Sequence, residues 1–345
     1  MHPAMDGDLA RSGALHPPEL PPYRPPSEAE SVLVRVTRGC AWNRCTFCGM
    51  YKRIRFEVRS LEEIEGDLPA LREMWPQARS IFLADSDSLV HPALPAIVRA
   101  TRRAFPEAER ITSYTRLHTL WRRTPEWLAE LRQAGLHRVH AGLESGSPAI
   151  LSACRKGVTP EQAIEGSRRA IEAGFELSLY VLCGLGGEDA WEEHAVESAR
   201  VVAAAVPHFL RLRSLALLRG TPLHDDWGAH RFAPASALTR LRETRRLTHE
   251  ILQRLPTSLA GRGASGEPGA GAEGAIAREI ELTSDHFTNY VWADGELVYG
   301  GINGYLPSDG PLLLSTLDRA IEIVAAGRRV EDASALALRG RVPML

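Results

Sequence analysis

The stretch Arg38-Gly39-Cys40-Ala41-Trp42-Asn43-Arg44-Cys45-Thr46-Phe47-Cys48-Gly49-Met50-Tyr51 carries three of the five cysteines of a 345-residue chain. Thiolates brought that close by one loop make a metal site or a redox site. The spacing is C-x4-C-x2-C, and no fourth cysteine or histidine follows at ligand spacing. Three protein ligands leave one coordination position open, and an iron–sulfur cubane held by three thiolates would expose one iron to a small molecule. A structural zinc ion completed by a distant His118 or His140 is one alternative. Reduced core thiols are the plainer one.

Outward from that stretch the chain alternates strand and helix. Ser31 to Val36 is β-branched and reads as a strand that delivers the cysteine loop at its C-terminal end. Ser60 and Glu63 form a capping box, followed by Leu61, Ile64, Leu68 and Leu71 at helical spacing. Further strands begin near residues 80, 110, 137, 175 and 209. Between them stand Thr124-Pro125, a second capping box at Thr159 and Gln162, and stop signals at Gly135 and Gly174. Each interval is close to one βαβ unit of roughly 30 residues, and alternation of this kind predicts a parallel sheet. Six units are too few for a closed eight-fold barrel. The expected fold class is α/β, an open (βα)6 partial barrel with a small α+β C-terminal extension.

The expected domain organisation is a proline-rich tail over 1–28, a core over 29–225 and an extension over 226–345. The extension reads as an amphipathic helix over 236–255, a Gly/Ala-rich flexible loop over 261–275, a hairpin whose strands Phe287 to Ala293 and Glu296 to Gly301 flank Asp294-Gly295, and a final helix from about Pro311 to Ala326. A formal net charge of −2 gives no global field toward nucleic acid or a membrane. No apolar run approaches the roughly 20 residues that cross a bilayer, and the N-terminus lacks a charged-then-apolar leader. An odd cysteine count without a secretion signal points to a reducing, cytoplasmic setting.

The cysteine loop resembles that of the radical S-adenosylmethionine (radical SAM) superfamily. There three cysteines hold a [4Fe–4S] cluster whose fourth iron is chelated by the amino and carboxylate groups of S-adenosylmethionine (SAM). Phe47 falls where that family places an aromatic residue before the last cysteine. The first gap is one residue longer than the common C-x3-C-x2-C. Gly142-Leu143-Glu144-Ser145-Gly146 resembles a fourth-strand motif of the methylthiotransferase, elongator-type and coproporphyrinogen-oxidase-like groups. Cys183-Gly184-Leu185-Gly186-Gly187-Glu188 is similar to their fifth-strand G-x-P-G-E, with Gly186 in place of proline. The resemblance covers about residues 30–225. It implies a partial barrel and an enzyme that cleaves SAM reductively to a 5′-deoxyadenosyl radical. It also implies an external one-electron donor of flavodoxin or ferredoxin type, and metal ligation by Cys40, Cys45 and Cys48.

By the same resemblance Phe47, Asp85, Asp87, Tyr114, Arg116, Glu144, Ser145, Arg155, Gly184 and Arg213 are candidate SAM contacts. A carboxylate suits ribose hydroxyls or the amine, and a guanidinium suits the SAM carboxylate. Helix capping by Asp85 or Asp87, a solvated Glu144 and ordinary surface arginines are the structural alternatives. Cys154 and Cys183 read as core thiols. Arg35, Arg38, Arg44, Lys52, Arg53, Arg55 and Arg59 surround the loop with only Glu57 opposing them in sequence. Such charge could tune a cluster, steer an anionic substrate or contact an RNA backbone. A zinc-stabilised nucleic-acid-binding protein is therefore the rival reading. His286 and Tyr290 are candidate substrate contacts, with satisfaction inside the hairpin as the plainer role.

Overall fold

The computed structural model describes residues 24–255 and 278–332. Most of the expected tail and the whole of the 261–275 loop fall outside them. The chain enters through a 3-10 turn at Pro26–Glu28 and strand β1 (Val32–Arg35), then passes the short strands β2 (Thr37–Arg38) and β3 (Glu57–Val58). The βα series follows: α1 (Leu61–Met74), β4 (Ser80–Ala84), α2 (Leu94–Ala104), β5 (Arg110–Thr115), α3 (Leu117–Arg122), α4 (Pro125–Ala134) and β6 (Arg138–Glu144). It continues with α5 (Pro148–Ala153), α6 (Pro160–Glu172), β7 (Glu176–Cys183), α7 (Trp191–Ala205) and β8 (Phe209–Ser214). The C-terminal part holds α8 (Pro222–Gly228), α9 (Ala237–Arg254), β9 (Ile280–Thr283), β10 (Val291–Ala293), β11 (Glu296–Tyr299), β12 (Asn303–Leu306), α10 (Gly310–Ala325) and β13 (Val330–Asp332).

The fold is mixed α/β with a mostly parallel central sheet in the order β1-β4-β5-β6-β7-β8-β9-β12. The first seven strands run parallel and β12 closes the edge antiparallel to β9. Both capping boxes form at the helix starts predicted for them, at Ser60 with Glu63 and at Thr159 with Gln162. Alternate strand residues divide the two faces. Ile81, Leu83, Ile111, Val139, Ala141, Leu177, Leu179, Val181, Leu210 and Leu212 join the core shared with the helices. Phe82, Tyr114, His140 and Tyr180 form a chain of neighbouring rings on the other, inner face.

Two expectations change. Residues 24–28, read as the end of the tail, pack against the sheet: the Glu28 carboxylate is fully buried, accepts from Ser31 and meets His140. The C-terminal extension lengthens the sheet by β9 and β12. The hairpin at Asp294-Gly295 forms, yet Phe287–Asn289 is a 3-10 turn rather than strand, so β10 starts at Val291. His286 caps that turn by accepting from the Thr288 amide. Among the described residues no helix is long and apolar enough to cross a membrane.

Candidate active site

The cysteine loop leaves β1 at the C-terminal edge of the parallel strands, the edge on which open α/β sheets build their sites. Its entrance is held from β4: the Gly39 amide donates to Asp85 Oδ2 at 2.8 Å, and Ser86 Oγ donates to the Gly39 carbonyl at 2.9 Å. Its exit is tied by the Thr46 amide to the Cys154 carbonyl at 3.0 Å. Cys40, Cys45 and Cys48 are free thiols, each half-buried. Burial raises the pKa of Cys45, against the pull of the Lys156 charge. Burial pushes the Cys48 thiol up to about 11, partly offset by the Met50 amide.

The donor set fits a cluster. The Asn43 amide donates to Cys40 Sγ at 3.3 Å, and backbone hydrogen bonds to sulfur are among the levers that tune iron–sulfur sites. Among the described residues no three His, Cys, Asp or Glu side chains converge on one point, as the ligands of a single ion would. His140 is fully buried in the sheet, bonded to Glu28, about four strand residues below the end of β6. His118 lies against Trp121 and lines a cavity of about 480 Å³ with Trp42 and Arg155. Neither completes a zinc site with the loop.

Glu144 ends β6 in the left-handed region, with φ 65°. Its carboxylate meets Lys156 Nζ at 2.7 Å, and both charges act on Cys45. Ser145 is buried and accepts from the Ser147 amide. Arg116 donates to the Lys156 and Gly157 carbonyls and stacks on Trp42, its Cζ 4.7 Å from the ring centre. Trp42 also donates to the Arg155 carbonyl at 2.7 Å. The first gap of the cysteine loop is thereby pinned to the turn after α5. Gly157 permits this: its φ is +70°, and a Cβ there would lie 2.3 Å from Trp42 Cζ2. Arg155 itself is exposed. Phe47 packs on the small cluster of Ile150, Cys154, Leu185 and Leu223. Tyr114 and Arg213 lie on the inner face, further from the loop in the sheet order.

Asp87 does not cap the 3-10 turn it precedes. It is buried, and accepts from Thr115 at 3.0 Å and Thr119 at 2.6 Å. Burial raises its pKa to about 6, and the two hydroxyls and Arg116 only partly oppose this. A carboxyl whose folded pKa is raised loses stability as pH climbs from the unfolded value through the folded one. Asp87→Asn is therefore expected to stabilise the fold by up to about 3 kcal/mol at pH 7.5 and by much less at pH 4.5. Urea unfolding at both pH values checks this. A gap that does not widen with pH would show that Asp87 is compensated in the folded state.

The basic loop is more neutralised than its sequence suggests. Arg59 pairs with buried Asp67 at 2.6 Å, Arg35 approaches Asp85 at 3.9 Å and Arg38 meets Glu57 at 3.6 Å. Lys52 donates to the Asn43 carbonyl, while Arg53 and Arg55 remain exposed.

One pair had no signal in the sequence. His194 of α7 and Glu243 of α9 are fully buried with Nδ1 and Oε1 2.6 Å apart, an ion pair without well-aligned hydrogen-bond geometry. His194 Nε2 contacts the Glu144 carbonyl at 3.0 Å, and Glu243 Oε2 accepts from the Gly184 amide at 2.8 Å. The pair thus joins the ends of β6 and β7, both motifs singled out above, to the C-terminal helix.

Residues 34–199 match the family model described as the radical SAM superfamily. A protein of Pyrococcus horikoshii described as uncharacterized methyltransferase PH0819 is 26% identical over 166 residues, which are 47% of this chain and 35% of that one. The chain thus spans about a third of the length of the curated relative it matches. Among solved structures, methylornithine synthase PylB is 19% identical with a TM-score of 0.46, over 65% of this chain and 63% of that one. The methyltransferase TsrM of Kitasatospora setae is 21% identical with a TM-score of 0.48, over 58% and 39%. Radical SAM enzymes use a [4Fe–4S] cluster and SAM and need an external reductant. The match begins inside β1 and ends inside α7, so residues 34–199, just under half of the chain, are similar to radical SAM domains over a span that takes in the cysteine loop and both strand-end motifs.

Proposed function

We propose that Cys40, Cys45 and Cys48 hold a [4Fe–4S] cluster and that the protein cleaves SAM reductively to act on a small substrate at the inner face of the sheet. The observation that carries this is a half-buried cysteine trio whose first sulfur accepts a backbone amide, on a loop tied to β4 and α5. When bound, the cluster would supply the electron that breaks the SAM sulfonium bond and yields a 5′-deoxyadenosyl radical.

The chain's own residues position and shield. Glu144, turned by its left-handed backbone and steadied by Lys156, is placed beside Cys45 to accept from a ribose hydroxyl or the SAM amine. Ser145 and Gly184 bring backbone close to the same edge. Asp85 and Arg116 support the reading from beneath, by fixing the cysteine loop and the 156–157 turn. Phe47 closes the apolar side. A flavodoxin or ferredoxin in a reducing cytoplasm would be the electron source.

The test is anaerobic: reconstituted protein, dithionite and SAM, with 5′-deoxyadenosine measured by chromatography. About four irons per chain and steady 5′-deoxyadenosine formation are expected. Protein that takes up one zinc and leaves SAM intact would overturn the assignment.

A further inference from the structure

Arg211 and Arg213 point the same way from β8, two residues apart, but their situations differ. Arg211 is neutralised: Nη1 stands 3.5 Å from Glu281 and donates to Thr283 at 2.6 Å. Arg213 donates to the Leu212 carbonyl at 2.8 Å and lies over the Tyr180 ring at 5.6 Å. Among the described residues no carboxylate stands within ion-pair distance of it. It is half-buried, and burial lowers its pKa. A guanidinium partly withdrawn from water without a counter-ion is costly unless an anion completes it.

Its surroundings suit such an anion. The Tyr180 hydroxyl is buried and makes no well-formed hydrogen bond among the described residues, although Ser178 is near it. His286 lies close enough to feel the Arg213 charge, and burial lowers its pKa to about 4, so it stays neutral and does not compete. Asp285 and Tyr114 act on Arg213 from further away. One uncompensated positive charge matches a monoanion, and a guanidinium fork matches a carboxylate in a bidentate pair.

We propose that Arg213, with the Tyr180 hydroxyl, is the anchor for the carboxylate of the substrate, which is thus a small monocarboxylic acid lying on the inner face beside β7 and β8. This rests on the reading of the protein as a SAM-cleaving enzyme. SAM has a carboxylate too, but it must reach the iron held by the cysteine loop. Its counter-charge therefore belongs beside that loop, where Arg116 stacks on Trp42 at 4.7 Å and bonds the 156–157 carbonyls. Arg213 instead lies over the Tyr180 ring, on β8 next to β7.

The probe is benzoate, whose ring can lie along the tyrosines, beside its neutral isostere benzamide and inorganic phosphate. Binding to the reconstituted full chain is followed anaerobically by ligand-observed NMR. Benzoate is expected to bind with a Kd on the order of 1 mM, benzamide and phosphate at least about tenfold more weakly. Arg213→Gln should weaken benzoate at least about tenfold and Arg213→Lys roughly threefold, since an ammonium keeps the charge but not the fork. Circular dichroism confirms that both variants fold. Saturating SAM should leave benzoate bound in the wild type. No benzoate binding, equal binding of benzamide, tighter binding of phosphate, or an unchanged Arg213→Gln would each overturn the proposal. Displacement of benzoate by SAM would overturn it too, by assigning Arg213 to the SAM carboxylate. Wild-type protein that binds benzoate as expected but yields no 5′-deoxyadenosine would sink the SAM-cleavage reading and leave the anion site standing.

Discussion

Glu243→Ala is expected to lower the stability of the fold by about 3–5 kcal/mol, the usual cost of leaving one member of a buried ion pair without the other. His194 would then be fully buried beside no counter-charge. The Gly184 amide, at φ +86°, would lose its acceptor as well. Replacing both residues with leucine should cost less than either single change, because no charge remains to be buried. A double-mutant cycle by urea unfolding reads this as a large coupling energy, at least about 2 kcal/mol. The pH dependence has a definite sign. Burial alone would lower the His194 pKa, but the Glu243 charge and the Glu144 carbonyl outweigh it, and the pKa is raised. A histidine with a raised folded pKa contributes stability that is complete below its unfolded pKa, about 6.5, and is lost as pH rises through the folded value. The wild-type advantage over His194→Gln should therefore shrink on the alkaline side of neutrality. Additive single costs, each under about 1 kcal/mol, would mean that the pair is incidental to the fold.

Local signals in this chain act over a few residues, and they were the ones that could be read. The two capping boxes, the six β-branched or apolar strands and the Asp294-Gly295 turn all appear where the pattern puts them. The α9 helix, expected over 236–255, spans Ala237–Arg254. What escaped depends on contacts distant in sequence. Ile280–Thr283 is four residues long and follows a Gly/Ala-rich stretch, so its period is too short to announce a strand. Pairing with β8 on one side and β12 on the other makes it one. The loop cysteines announced themselves by spacing, whereas His194 and Glu243 are 49 residues apart on two helices and carry no shared pattern. The same limit explains the basic loop. Arg59 looks unopposed beside Glu57 because its partner, Asp67, lies two helical turns away on α1. Trp42 could have been found: it is the bulky residue in a first gap one residue longer than the common pattern, and a longer loop needs an anchor.

Cys45→Ala should bring iron loading and 5′-deoxyadenosine formation down to background, whereas Cys154→Ala and Cys183→Ala should leave both close to wild type. The contrast follows from position. Cys45 is half-buried in the loop between two other thiols. Removing it leaves two ligands, and a cubane with a site for SAM needs three. Cys154 is buried next to the same loop, but it serves that loop through its backbone carbonyl, which accepts from the Thr46 amide and survives substitution. Its thiol pKa is pushed by burial to about 12, as befits an inert core group. Cys183 lies at the end of β7, facing the Thr244 hydroxyl of α9. Each of these two changes should cost about 1 kcal/mol of stability through lost packing. Iron and acid-labile sulfide are measured after identical anaerobic reconstitution of the four proteins, and 5′-deoxyadenosine under dithionite. If Cys154→Ala empties the site as fully as Cys45→Ala, the ligand set is not the one the loop spacing suggests. If Cys45→Ala keeps its iron, the metal sits elsewhere, and the strand-end residues assembled around Cys45 have no SAM to hold.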